Sequence, residues 1–139
     1  MKRTRIIRII AIVLMLITGL NAVVAGILFI ISPSGNMMGM TTDYLKYSPF
    51  TNFFIPGLVL FTVNGLLNFY TTYLTWKKLP KYALYIVAQG ILLVGWIGVQ
   101  VIMVKDFNML HEVMGSIGLA LMILGSVLIF SQENTANPD

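Results

Sequence analysis

The sequence predicts an all-α polytopic membrane protein, a four-transmembrane-helix antiparallel bundle. Three observations carry that expectation: a composition too apolar to face water, four apolar stretches of spanning length, and polar breaks between them. Of 139 residues, 58% are hydrophobic and only 10% charged, where a soluble domain carries about a quarter charged residues. So few charges cannot cover a water-facing surface. The partner of most of this chain is the lipid bilayer.

About 20 predominantly apolar residues cross the hydrocarbon core. Residues 6–31, 53–76, 82–104 and 110–130 meet that condition within a single integral membrane domain, 1–139. The first stretch is longer than needed, so it should tilt or project past the headgroups. It has the basic flank of a signal peptide, but its apolar run far exceeds the roughly 7–15 residues of such a segment. It reads as a retained first helix. Ser32-Pro33-Ser34-Gly35 stops it. Thr51 or Asn52 is placed to cap the second helix, with Pro56 tolerated in its first turn. Lys77-Lys78-Leu79-Pro80-Lys81 makes a tight basic turn into the third helix, and Asp106 or Asn108 is placed to cap the fourth. The polar tail, 131–139, is expected to fray.

The net charge is +4, and its location excludes a nucleic-acid partner. Lys2, Arg3, Arg5 and Arg8 flank the first helix, and Lys77, Lys78 and Lys81 fill the second loop; the other two loops hold only Lys46 and Lys105. Cationic flanks beside apolar helices orient a chain toward the cytoplasm. The expected topology is a multi-pass protein of the cell membrane, a bacterial inner membrane, with both termini cytoplasmic. Trp76, Tyr82 and Tyr85 would mark the inner interface, and Tyr44, Tyr47, Phe50 and Phe107 the outer one. The absence of cysteine excludes disulfides, thiolate metal sites, a lipoprotein anchor and thiol redox chemistry.

Polar side chains inside the spans need partners, because lipid supplies none. Gly57, Asn64, Asn68, Thr71 and Thr75 fall on one side of the second helix, and Gln89, Trp96 and Gln100 share a stripe on the third. The first helix places Thr18, Asn21 and Ala25 together. Facing inward, these stripes would form an amide layer, Asn21 with Asn64 above Asn68 with Gln89. The plain reading is a set of interhelical hydrogen bonds, each worth on the order of 1 kcal/mol. The functional reading is a cavity for a small neutral molecule or a lipid headgroup. An ion pathway is disfavoured, since no ionisable residue sits at mid-membrane.

Small residues line one face of several helices: Gly19, Ala22 and Gly26 on the first, Gly95 and Gly98 on the third, and Gly115, Gly118 and Gly125 on the fourth. Four helices are not expected to use all of these internally, so they point to a homodimer through helix three or four. At the outer end, His111 and Glu112 open the fourth helix. Adjacent residues point about 100° apart, so the two do not converge on one atom. A carboxylate in a first turn is explained by the helix dipole. Met37, Met38, Met40, Met103, Met109 and Met114 lie near the same membrane face, where soft thioethers with the His111 imidazole could hold Cu(I), but methionine is also a common apolar filler. No metal and no cofactor is expected; a single histidine does not make a bis-histidine haem site in a monomer.

The run from Ser48 to Gly57, continuing to Val63-Asn64-Gly65, and the patch Trp96-Ile97-Gly98-Val99-Gln100 are similar to patterns in small uncharacterised bacterial four-helix membrane proteins. DoxX-like proteins are the nearest named grouping. The resemblance covers helices two and three and implies the bundle fold, with no catalytic residues. Three functions are ranked on these residues. First is a non-enzymatic accessory or oligomeric bundle acting through a membrane partner protein. Second is a binder or carrier of a small lipophilic molecule in a central cavity lined by Asn and Gln. Third is an intramembrane enzyme on a lipid-like substrate.

Overall fold

The computed structural model describes residues 2–38, 41–46, 48–104 and 109–136. It is all-α, with four long helices: α1 (Lys2–Ile31), α2 (Phe54–Trp76), α3 (Tyr82–Val104) and α4 (Met109–Ala136). Each is long and apolar enough to cross a membrane. α1 starts before the apolar stretch, and α4 continues through Ala136, where fraying of 131–139 was expected. Hydropathy marks where the hydrocarbon lies, whereas the backbone ladder continues through polar residues until something interrupts it. Residues 137–139 lie outside the described ones.

The connections follow from local chemistry. Past α1, the Ser32 amide still bonds the Leu28 carbonyl, and Gly35 turns the chain at φ 85°. The Phe53 amide donates to the Pro33 carbonyl at 2.8 Å, tying the start of α2 to the end of α1. Asn52, one of the two expected caps, accepts from the Phe54 amide at 2.9 Å. Phe29 and Phe53 stack beneath this junction with ring centroids 4.7 Å apart, and Leu45 completes a buried apolar plug with them. The expected caps of α4, Asp106 and Asn108, lie outside the described residues.

The basic turn closes α2 with a paired motif: Leu79 donates to the Leu74 carbonyl and Lys78 to the Thr75 carbonyl. Lys78 (φ 55°) and Lys81 (φ 67°) are both left-handed, a conformation that glycine adopts at less cost.

α2 is not uniform. Phe54–Val59 and Leu67–Trp76 are α-helical, but Leu60–Leu66 is π-helical, and Leu67 donates to the Thr62 carbonyl five residues back. An ideal α-helix would set Gly57 and Gly65 about 80° apart. The wider π turns rotate less per residue, and both glycines reach α1. A Cβ on Gly57 would fall 2.7 Å from Phe29 Cβ, and one on Gly65 2.7 Å from Val23 Cγ2.

Glycines sort the helices into two tight pairs. In α1/α2, a Cβ on Gly26 would meet the Gly57 carbonyl oxygen at 2.9 Å. In α3/α4, a Cβ on Gly90 would fall 2.5 Å from the Gly118 oxygen, and one on Gly125 2.6 Å from Val87 Cγ2. Such backbone approach maximises dispersion contact where lipid offers no hydrophobic drive. The pairs then meet through side chains, α1 against α4 and α2 against α3. Ala11, Met15, Leu74, Tyr82, Ala83, Ile86, Leu121 and Leu128 form one buried cluster. That cluster sets the start of α1, the basic turn and the end of α4 at one end of the bundle, here termed the basic end.

Candidate functional site

Between the apolar cluster at the basic end and the Phe29–Leu45–Phe53 plug, the interior holds a group of polar side chains beside apolar Ala22, Leu93 and Ile97. Asn64, Asn68 and Gln89 are each 1% exposed, and Thr18, Thr71 and Thr75 are buried with them. With a rise of about 1.5 Å per residue, Asn68 lies about 12 Å from Trp76, Gln89 about 10 Å from Tyr82, and Asn64 about 18 Å from Trp76. Thr18 precedes Gly19, whose Cα faces the Asn68 side chain. The group therefore runs as a short column from mid-span toward the basic end.

Its hydrogen bonding is incomplete. Asn68 Nδ2 donates to the Asn64 carbonyl at 2.7 Å, within α2. Thr75 donates to the Thr71 carbonyl, also within α2. Seven buried side-chain atoms have no protein partner: Thr18 Oγ1, Asn64 Oδ1 and Nδ2, Asn68 Oδ1, Thr71 Oγ1, and Gln89 Oε1 and Nε2. The expected interhelical amide bonds are not formed. Elsewhere in the spans the hydroxyls of Thr62, Thr72, Ser116 and Ser126 each donate to the carbonyl four residues back, the usual resort of a hydroxyl in lipid. Thr18 and Thr71 do not, although both sit at the centre.

Asn21 corrects the expected layer. It is exposed on α1 and does not join Asn64. Thr18, Gly19, Ala22 and Gly26 define the inward face of α1, and Asn21, two residues beyond Gly19, is turned about 200° from it. Trp96 and Gln100, on the Gln89 stripe nearer the far end, are half-buried. Gly118 and Gly125 pack inside the bundle, whereas Gly95, Gly98 and Gly115 face open space. Glu112 is exposed, and its carbonyl accepts from Ser116 Oγ at 2.8 Å. The His111 side chain, with Met38, Met40, Met103 and Met109 of the methionine group, lies outside the described side chains.

A surface cleft of about 470 Å³ lies at the far end, lined by Pro33, Pro49, Phe50, Thr51, Asn52, Phe54 and Ile55. Its amide, Asn52, is already engaged in capping α2. The central column is the stronger candidate, because it holds buried polar atoms without a hydrogen-bond partner among the described residues.

The π-helical segment was not legible beforehand. Its one signal is the glycine spacing of eight, which fits a common partner only if a turn is widened. The class defined by these features is a small polytopic membrane protein with a neutral polar interior. No family model matches the chain, and no curated protein or solved structure is found to be similar to it; the DoxX-like resemblance gains no support.

Proposed function

We propose that the protein binds a small neutral lipophilic molecule whose polar head lies among Asn64, Asn68, Gln89, Thr18 and Thr71. The observation that carries this reading is the set of seven buried, unpartnered polar atoms. Each such atom costs about 1–3 kcal/mol, or on the order of 10 kcal/mol together, against a typical total stability of about 5–15 kcal/mol. A bundle does not carry that burden bare, so the column takes up polar partners. The side chains offer donors and acceptors but no formal charge, which favours an alcohol, ketone or amide over an ion. Access from the bilayer runs along the seam between α2 and α3, where no glycine pair draws the backbones together. Half-buried Trp96 and Gln100 on α3 border that route.

The accessory-subunit reading, ranked first on sequence, called for a dry interior; the unpartnered amides move binding ahead of it. The enzyme reading, on Glu112, His111 or the amides, would be favoured by a carboxylate beside the bound head, and Glu112 is exposed on α4. Orientation is part of the proposal: the basic end, with both termini, faces the cytoplasm, supported by the seven cations gathered there.

Native mass spectrometry of the wild type and Gln89→Leu, released from lipid nanodiscs, tests the binding. The wild type should retain a stoichiometric neutral adduct that Gln89→Leu loses while keeping its helical content. A bare wild type, or the same adduct on both proteins, would refute the reading.

A further inference from the structure

Asn21 lies ten residues before Ile31, the last residue of α1, or about 15 Å along the helix. That is the middle of a core about 30 Å thick. Its amide is exposed there and makes no hydrogen bond among the described residues. Three other exposed polar residues of the spans, Thr62, Ser116 and Ser126, satisfy themselves on their own backbone. An asparagine facing hydrocarbon without a partner is costly, and a second helix bearing a polar group at the same depth removes that cost. The surrounding face, with Ile17 and Val24 exposed beside it, is wholly apolar.

We propose that this face of α1 is a homodimer interface in which Asn21 pairs with Asn21 of a second copy. Two copies inserted with the same orientation are related by a two-fold axis along the membrane normal, so residue 21 of each falls at the same depth without further adjustment. A primary amide carries both a donor and an acceptor. Two of them facing across such an axis satisfy each other reciprocally, as an isologous contact requires. An unrelated partner would have to supply a matching group at that depth by separate means. Of the glycines expected to mediate a dimer, Gly118 and Gly125 are engaged with α3, whereas Gly95, Gly98 and Gly115 face open space and form the rival face against which residue 21 is tested.

The chain lacks cysteine, so single-cysteine variants report proximity directly in native membranes. Ile17→Cys and Val24→Cys, which flank Asn21 on the same face and leave its amide in place, should crosslink on mild oxidation to a species of twice the 15.5 kDa monomer mass. Gly98→Cys and Ile123→Cys, on outward-facing positions of α3 and α4, should not. A cysteine-free comparison, Asn21→Leu, should weaken association in detergent roughly tenfold, with Asn21→Gln recovering part of it. Asn21 is exposed and makes no hydrogen bond among the described residues, so the variant monomer should melt as the wild type does. No crosslink at residue 17 or 24, a stronger one at residue 98 or 123, an adduct of another mass, or unchanged association of Asn21→Leu each overturns the interface.

Discussion

Asn64 illustrates how one side chain carries opposite demands. Neither atom of its amide has a protein partner, and the residue is 1% exposed. Replacing it with leucine, of similar size, removes two unsatisfied groups and no observed hydrogen bond. We therefore expect Asn64→Leu, purified free of ligand, to be more stable than the wild type by about 1–3 kcal/mol, read as a raised melting temperature in detergent. The same variant should lose the retained molecule. Such a trade of function against stability is typical of binding sites. A lower melting temperature would instead reveal a hydrogen bond to Asn64 that holds the helices in register. Thr71 belongs to the same scale, since a hydroxyl that declines its own backbone carbonyl is available to a guest.

At the scale of helices, glycine position decides which contacts are rigid. Gly90 and Gly98 lie two turns apart on α3 and look alike in sequence. A methyl group on Gly90 would meet the Gly118 carbonyl oxygen at 2.5 Å, whereas one on Gly98 has open space within 4 Å. Gly90→Ala should thus cost about 1–3 kcal/mol by forcing α3 from α4. Gly98→Ala should be neutral or mildly stabilising, since alanine favours helix. Paired thermal melts distinguish the two, and equal effects would contradict the assigned packing. The π-helical segment belongs to this scale too. It turns Gly57 and Gly65 to α1 while Asn64 points into the interior. Pi-helical turns recur at functional sites, and here one carries the uppermost amide of the column.

Across the whole molecule, two glycine-locked pairs enclose a polar column between two apolar plugs. Glycines close the backbones within each pair, whereas neither seam between the pairs, α1 against α4 or α2 against α3, carries a glycine pair. The charge asymmetry acts at this scale as well. A reporter active only outside the cytoplasm, fused after residue 139, should stay silent. Replacing Lys77, Lys78 and Lys81 together with glutamine should weaken that bias and give measurable reporter activity. An active reporter on the unmodified chain would reverse the orientation of the basic end.

By itself the sequence determined the number of spans, their approximate limits, the basic turn and the burial of Asn64, Asn68 and Gln89. These follow from local quantities: apolar length against bilayer thickness, Gly and Pro at breaks, and polar residues repeating at helical spacing. It left Asn21 undecided, because a polar residue at mid-membrane has two remedies, an internal partner or an external one, and periodicity does not choose between them. The glycine faces were equally ambiguous, since the same small residues serve contacts within a chain and between chains. Tertiary structure decided both. Gly19 and Gly26 take α1 to α2, which turns Asn21 about 200° away from that contact, while Gly118 and Gly125 are closed against α3 and Gly95, Gly98 and Gly115 are left facing open space. The unpartnered state of the column is likewise a tertiary fact: the amides share a region, but whether they meet depends on backbone separations that no single helix contains.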